Sequence, residues 1–427
     1  MKPAPTRPRN QSHAVVRDAF LRAHSAGRND EALAAALRSA RLAPRQPQHW
    51  TDAATACVYL GRWSAAIDHC ETALQCGGAS FVLFDALSHA HGALGHADAV
   101  RKYGHKALTV RDSLFGQAGK APPLPPEGRP LPPPGPATRA RNLISFSLFG
   151  GRSRYCETAV LNALEGERLY PGWTCRFHVD ATVPQPVLQR LLAAGAEVVT
   201  VEAAVRRWPG PMWRLLAADA PDAHRVIFRD ADSVVSEREG GAVEEWVASG
   251  RRFHLLRDAC THTELILAGL WGLVAGSMPP LLPRVTEYLR HASVSPRFAD
   301  QWFLRTAVWP YARQSLMAHD SQFGFMDARP FADGAPASGF HVGKDEGGAT
   351  FATASRWPDG TAVDWTLSFL EGSGAATRKQ FVCCYRAVVR DGQVKDHVPS
   401  RYLQRLRQGR ALIELQPAAD PTAGPSG

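Results

Sequence analysis

At 427 residues the chain is long enough for two or three domains with a sizeable core. Its 49 Lys+Arg against 40 Asp+Glu leave a net charge of +9, yet the arginines are scattered, and no basic run or nucleic-acid module stands out. Eight cysteines without C-x-x-C spacing argue against a structural zinc site and fit free thiols in a reducing compartment. Met1 to His13 is polar and proline-rich, and the longest apolar stretch, Leu265 to Met278, is too short to span a bilayer. A cytoplasmic location without a transmembrane segment is expected.

The N-terminal part repeats. Gly27, Gly61 and Gly95 fall on one register with a period of 34 residues. Ala32, Ala66 and Val100 share a second register, and Ser39, Ala73 and Ala107 a third. Glycine permits a tight turn between two helices, and small residues let those helices approach closely. With Trp50, Tyr59-Leu60-Gly61-Arg62-Trp63, Ala66 and Ala73, this stretch resembles the tetratricopeptide repeat, placed over residues 11–116. Such an array either binds a protein partner or supports the next domain. A proline-rich linker over 117–139 contains Pro122-Pro123-Leu124-Pro125-Pro126 and reads as an extended spacer.

Beyond it strands and helices alternate, which predicts an α/β domain with a mostly parallel sheet over 140–350. Strands are expected at Leu143 to Phe149, Thr174 to Asp180, Glu197 to Val201, Val226 to Phe228 and Arg252 to Arg257. Helices are expected at Tyr155 to Arg168, Pro186 to Ala194 and Ala242 to Ser249. The run Val226 to Phe228 ends in Arg229-Asp230-Ala231-Asp232. Open α/β sheets bind ligands at the carboxyl ends of their strands, and residues two apart in extended chain face the same way. Asp230 and Asp232 are therefore candidate ligands for a hard cation, Mg²⁺ or Mn²⁺. No Walker A loop and no G-x-G-x-x-G is present, which leaves phosphate handling to the metal and to arginines such as Arg214 and Arg229. Each arginine could equally form a structural ion pair. Asp258 ends a strand and reads as a sugar contact, a base or a helix cap; Asp300 opens a helical stretch and could be its N-cap. Gly269 and Gly272 flank Trp271, which reads either as a sugar-stacking face or as core.

Residues 141–325 also carry Ser145-Phe146-Ser147-Leu148-Phe149-Gly150, Tyr170-Pro171-Gly172-Trp173, Trp213-Arg214, Ala268-Gly269-Leu270-Trp271-Gly272 and Asp300-Gln301-Trp302, in that order with the D-x-D motif. Taken together they resemble a metal-dependent glycosyltransferase of the GT-A, Rossmann-like type. The resemblance implies Asp230 and Asp232 as metal ligands on a donor diphosphate and Ser145, Phe146 and Ser147 against the nucleotide. With it go catalytic roles for Asp258 and Asp300 on the acceptor side of the site and acceptor binding by Gln301, Gly269 and Trp271. Gly339-Phe340-His341-Val342-Gly343-Lys344 is similar to the late element that supplies a third metal ligand, His341, and a phosphate-binding lysine, Lys344; an exposed loop histidine is the other reading. The expected activity is sugar transfer from a nucleoside-diphosphate sugar to a hydroxyl of a glycan, protein or small molecule. A nucleotidyltransferase and a repeat scaffold with a non-catalytic domain are the alternatives. Residues 351–416 read as an accessory segment, with a strand at Gln380 to Arg390 and a helix at Ser400 to Arg407, and 417–427 as a disordered tail.

Overall fold

The computed structural model describes residues 13–116, 122–126, 130–291, 298–334, 336, 339–372 and 377–418. In chain order its elements are α1 (His13–Ser25), α2 (Asn29–Leu42), α3 (Pro47–Tyr59), α4 (Trp63–Gln75), α5 (Phe81–Ala93), α6 (Ala97–Phe115), β1 (Asn142–Leu148), α7 (Ser153–Leu169), β2 (Thr174–Val179), α8 (Gln185–Ala193) and β3 (Glu197–Thr200). There follow β4 (Arg225–Arg229), α9 (Glu237–Ser249), β5 (Phe253–Arg257), β6 (Leu270–Val274), α10 (Leu281–His291), α11 (Ala299–Phe303), α12 (Trp309–Ala312) and β7 (Leu316–Asp320). The last are β8 (Ala349–Ala354), β9 (Ala362–Glu371), β10 (Arg378–Val388), β11 (Gln393–Val398), α13 (Ser400–Arg407) and β12 (Ala411–Pro417). No helix among the described residues is long and apolar enough to cross a membrane.

The chain forms two compact units. The first gathers residues up to 123 with 255–267 and 305–338. Its helices α1 to α6 pack as three consecutive pairs of tetratricopeptide-like form. Gly27, Gly61 and Gly95, at the turn within each pair, have φ of +72°, +67° and +78°, the left-handed region in which a side chain is strained. Ala32, Ala66, Ser39, Ala73 and Ala107 are fully buried, so the small residues sit where the helices touch. The same unit holds two later segments against the repeats. Ser88 Oγ donates to the Cys260 carbonyl at 2.7 Å. Arg111 donates to Asp85 at 2.7 Å and to the Thr263 carbonyl at 3.1 Å. Trp309 Nε1 donates to Asp112 at 2.8 Å. A Cβ on Gly104 would fall 2.1 Å from Phe323 Cε1. The compact units thus do not follow the sequence-based boundary between repeats and α/β domain. Contacts between residues distant in the chain set the boundary, and a linear pattern does not record them.

The second unit comprises 124–254, 268–304 and the residues from 339 onward. Its sheet runs in the order β3-β2-β1-β4-β6. All neighbours are parallel except β4 and β6, which pair antiparallel with Arg229 opposite Leu270. Every residue of β1 and β4 is buried, as expected of strands covered on both faces. Helix α9 begins at Glu237, a turn before the expected Ala242. Ser236 caps it by accepting the Glu239 N–H, and Gly240-Gly241 had masked the helical pattern. The C-terminal strands form two small antiparallel sheets, β10-β9-β12 and β11-β8. They are fastened to α7: Tyr385 Oη donates to Glu157 at 2.6 Å, and Ser153 Oγ to the His397 carbonyl at 2.6 Å. Pro417 closes β12, and residues 419–427 of the expected tail lie outside the described residues. So do 117–121 and 127–129 of the expected linker. Its described part is bound to the unit rather than loose: Arg225 donates to the Pro132 carbonyl at 2.9 Å and Arg252 to that of Pro125 at 2.6 Å.

Candidate active site

The site lies within the second unit, at the carboxyl end of β4. That strand delivers Asp230 and Asp232 to the wall of a cavity of about 740 Å³. Ser147, Phe149 and Gly150 from the end of β1, Arg152, Arg154 and Tyr155 from the start of α7, and Pro211 and Arg214 also line it.

Arg214 organises the inner wall. It is 2% exposed, in a 3-10 helical stretch, Gly210–Asp219. Two serines pin its backbone: Ser145 Oγ donates to the Arg214 carbonyl at 2.8 Å, and Ser147 Oγ accepts the Arg214 N–H at 2.8 Å. The guanidinium donates to Asp230, to the Arg229 carbonyl at 3.1 Å and to Asp300 Oδ2 at 2.8 Å. Burial raises the pKa of the Asp300 carboxyl and nearby Asp230 adds to the rise, while Arg214 opposes it. Asp230 itself is half exposed. A Cβ on Gly269 would fall 2.0 Å from Asp230 Oδ2, so the absence of a side chain there makes room for the carboxylate.

Asp232 is held by chain that arrives late in the sequence. Its carbonyl accepts the N–H groups of Glu346 and Gly347 at 2.8 and 3.2 Å, and Ser233 bridges to Asp345. This brings the Asp345 carboxylate to Arg154, at 2.5 Å, with the Asp232 carboxylate 3.9 Å from the same guanidinium. Gly347 is packed too closely against the Arg154 carbonyl to carry a side chain, and a Cβ on Gly348 would push the Asp345 carboxylate aside. Burial, reinforced by the negative charges of Asp230 and Asp345, pushes the Asp232 carboxyl up to about 6, with Arg154 opposing. A divalent cation would relieve that repulsion. Two carboxylates suffice to hold Mg²⁺ or Mn²⁺ when water and a substrate's phosphate oxygens fill the other positions. Among the described residues no group of three or more His, Cys, Asp or Glu side chains is arranged to hold a metal. His341, whose Nδ1 lies 3.0 Å from the Val342 carbonyl, therefore does not complete such a group with the two aspartates. Lys344 donates to the Gly339 carbonyl and is exposed.

Several expected contacts lie elsewhere. Phe146 is fully buried and stacks on Phe177 at 4.6 Å, on the opposite face of β1 from the serines, since alternate residues of a strand face opposite ways. The hydroxyls of Ser145 and Ser147 hold the backbone around Arg214 rather than lying open. Arg229 is buried in an ion pair with Glu239 at 3.4 Å, with Tyr170 donating to the same carboxylate. Trp271 is buried and stacks on Phe228 at 4.2 Å. A Cβ on Gly272 would come within 2.8 Å of Ile227, so that glycine lets β6 approach β4. Gln301 is partly buried, its N–H donating to Asp300 Oδ1 at 2.8 Å. Asp258 belongs to the first unit, where it accepts from Ser321 Oγ at 2.6 Å and its N–H donates to His262 Nδ1 at 2.9 Å. Sequence reasoning missed Arg152, Arg154 and Asp345. Their signals were two arginines at the start of a helix and a charged run closed by Gly347-Gly348.

No protein-family model matches this sequence, and no curated protein matches it. Among solved structures, the first TPR of Spaghetti (RPAP3), determined bound to an HSP90 peptide, is 20% identical with a TM-score of 0.23, covering 23% of this chain and 81% of that one. The Sgt2 TPR domain of Aspergillus fumigatus is 15% identical with a TM-score of 0.22, covering 24% and 72%. An O-GlcNAc transferase mutant of Thermobaculum terrenum is 14% identical with a TM-score of 0.29, covering 51% of this chain and 45% of that one. Likenesses of this degree do not define an activity.

Proposed function

We propose that the second unit is a metal-dependent glycosyltransferase of the GT-A type, moving a sugar from a nucleoside-diphosphate donor to an acceptor hydroxyl. The observation that carries the reading is the pair Asp230 and Asp232 at the carboxyl end of a central strand, opening with Arg152 and Arg154 on one cavity of about 740 Å³. The two aspartates would hold Mn²⁺ or Mg²⁺, which as a Lewis acid stabilises a departing diphosphate. Arg152 and Arg154, at the start of α7, offer charge-assisted hydrogen bonds to phosphate oxygens. Helix α7 adds its N-terminal dipole in the same sense. Asp258, held in the first unit, is left outside this proposal. Three helix pairs are about the minimum for a stable stack, and a protein partner on the repeats belongs to the same proposal. So does a cytoplasmic location, supported by eight cysteines that are all free thiols.

Calorimetry of the full chain with uridine and guanosine diphosphates, with and without Mn²⁺, tests the reading. The wild-type protein should bind one of them in a Mn²⁺-dependent way, and replacing Asp230 and Asp232 together by alanine should abolish that binding with the fold intact. Equal affinity in the double variant would remove the metal assignment. Hydrolysis of a nucleotide sugar that releases free sugar would then separate sugar transfer from nucleotidyl transfer, which releases pyrophosphate.

A further inference from the structure

Arg214 places a single positive charge between two carboxylates, and only one of them faces the cavity. Asp300 is 6% exposed, and both its oxygens are engaged, Oδ2 by Arg214 at 2.8 Å and Oδ1 by the Gln301 N–H at 2.8 Å. That arrangement suits a fixed counter-charge better than a base awaiting a proton from an acceptor. Asp230 is half exposed, lines the cavity and shares the same guanidinium. The guanidinium cannot retreat: Ser145 and Ser147 clamp the Arg214 backbone, and the Arg229 carbonyl accepts from Nη1.

We propose that Asp300 is a positioning residue which holds part of Arg214's charge away from Asp230, so that Asp230 keeps its capacity for a divalent cation. This rests on the reading of Asp230 as a cation ligand. The physical reason is the balance of charge in a buried setting. A guanidinium with Asp230 as its sole counter-ion would neutralise that carboxylate and repel an incoming dication at short range, where poor solvent screening makes the repulsion strong. With Asp300 present, the triad of two aspartates and one arginine carries a net negative charge and favours the cation.

Mn²⁺ binding to the full chain, followed by the loss of the free-Mn²⁺ electron paramagnetic resonance signal, tests this without turnover. Asp300→Asn keeps the side chain's shape and removes its charge. It should raise the Mn²⁺ dissociation constant about tenfold or more. Adding Arg214→Gln to that variant removes the unbalanced cation and should restore affinity to within about threefold of wild type, a rescue that a purely structural role would not produce. Arg214→Gln alone should bind Mn²⁺ at least as tightly as wild type, and it serves as the independent variant should Asp300→Asn not fold. Unchanged Mn²⁺ affinity in Asp300→Asn, beside a loss of binding in Asp230→Ala, would overturn the role given to Asp300 and leave the cation site standing. So would tenfold weaker binding in Arg214→Gln. Wild-type binding in Asp230→Ala would instead remove the cation site, and this inference with it.

Discussion

Replacing Gly269 by alanine isolates the geometry of Asp230 from its charge. The added Cβ would lie 2.0 Å from Asp230 Oδ2, 2.5 Å from its Cγ and 3.1 Å from its backbone nitrogen. Ordinary contacts between carbon atoms are about 3.5 Å or longer, so the carboxylate must swing away by on the order of 1 Å. The side chain is the part able to move, because it is half exposed while the β4 backbone is fixed by β1 and β6. Losing its contact with Arg214 should cost about 1 kcal/mol of stability, since the carboxylate recovers water and the buried guanidinium keeps Asp300 and the Arg229 carbonyl as acceptors. Binding should suffer far more: a ligand displaced by on the order of 1 Å lowers Mn²⁺-dependent affinity for a nucleoside diphosphate by roughly a hundredfold, taking the cost of comparable misplacement in active sites. Gly272→Ala is the contrasting variant. Its Cβ would meet Ile227 Cγ2 at 2.8 Å and the Val226 carbonyl at 3.0 Å, inside the sheet, so it should cost about 1–3 kcal/mol of stability by overpacking. Calorimetry for binding and thermal unfolding for stability read the two effects. If Gly269→Ala binds as wild type does, or merely unfolds as Gly272→Ala is expected to, the glycine is not there to seat the carboxylate.

A chain beginning at Ala137 should unfold at a markedly lower temperature than the full protein and aggregate on gel filtration. It removes the carbonyl acceptors of Arg225 and Arg252 and the repeats with which 255–267 and 305–338 form one unit. A monodisperse fragment with unchanged melting temperature would contradict this. His178 is 3% exposed, neither ring nitrogen has a hydrogen-bond partner, and burial, with Arg176 adding to it, lowers its pKa to about 3. The unfolded chain therefore binds the proton first as pH falls below about 6.5, and folding stability drops from there toward pH 3. Between pH 7 and pH 5 the loss is about 2 kcal/mol from this residue. Urea titrations of wild type and His178→Leu should show the variant with a shallower pH slope in that window; parallel slopes would exclude it.

Local patterns carried much of the architecture. Gly27, Gly61 and Gly95 announced the helix pairs because a left-handed turn leaves few alternatives to glycine. The apolar runs of β1 and β4 announced buried parallel strands, and α13 was legible over its whole length, Ser400–Arg407. The strands β8, β9 and β12 were not read, their burial patterns being irregular and their pairing decided by partners elsewhere in the chain. At the site, adjacency in sequence identified Asp230 and Asp232, which reach the cavity wall together. It overreached for Phe146, Arg229 and Trp271. Phe146 and Arg229 each sit next to a cavity residue in the chain, and the alternation of side chains along a strand turns them into the core instead, while Trp271 is held in the core by its stacking on Phe228.

What the sequence determined by itself is what short-range physics decides: where the chain turns, which runs must be buried, and which strand ends in two carboxylates. Tertiary structure alone decided how those carboxylates are balanced. Arg154 and Asp345 are separated by 191 residues, and Arg214 and Asp300 by 86. No local pattern joins such pairs, because ion pairing acts through space and is set by which strands and loops the fold brings together. The same holds for Gly269 and the Gly347-Gly348 pair, ordinary glycines in sequence. Only the packed structure shows the groups that an added Cβ would meet at each of them.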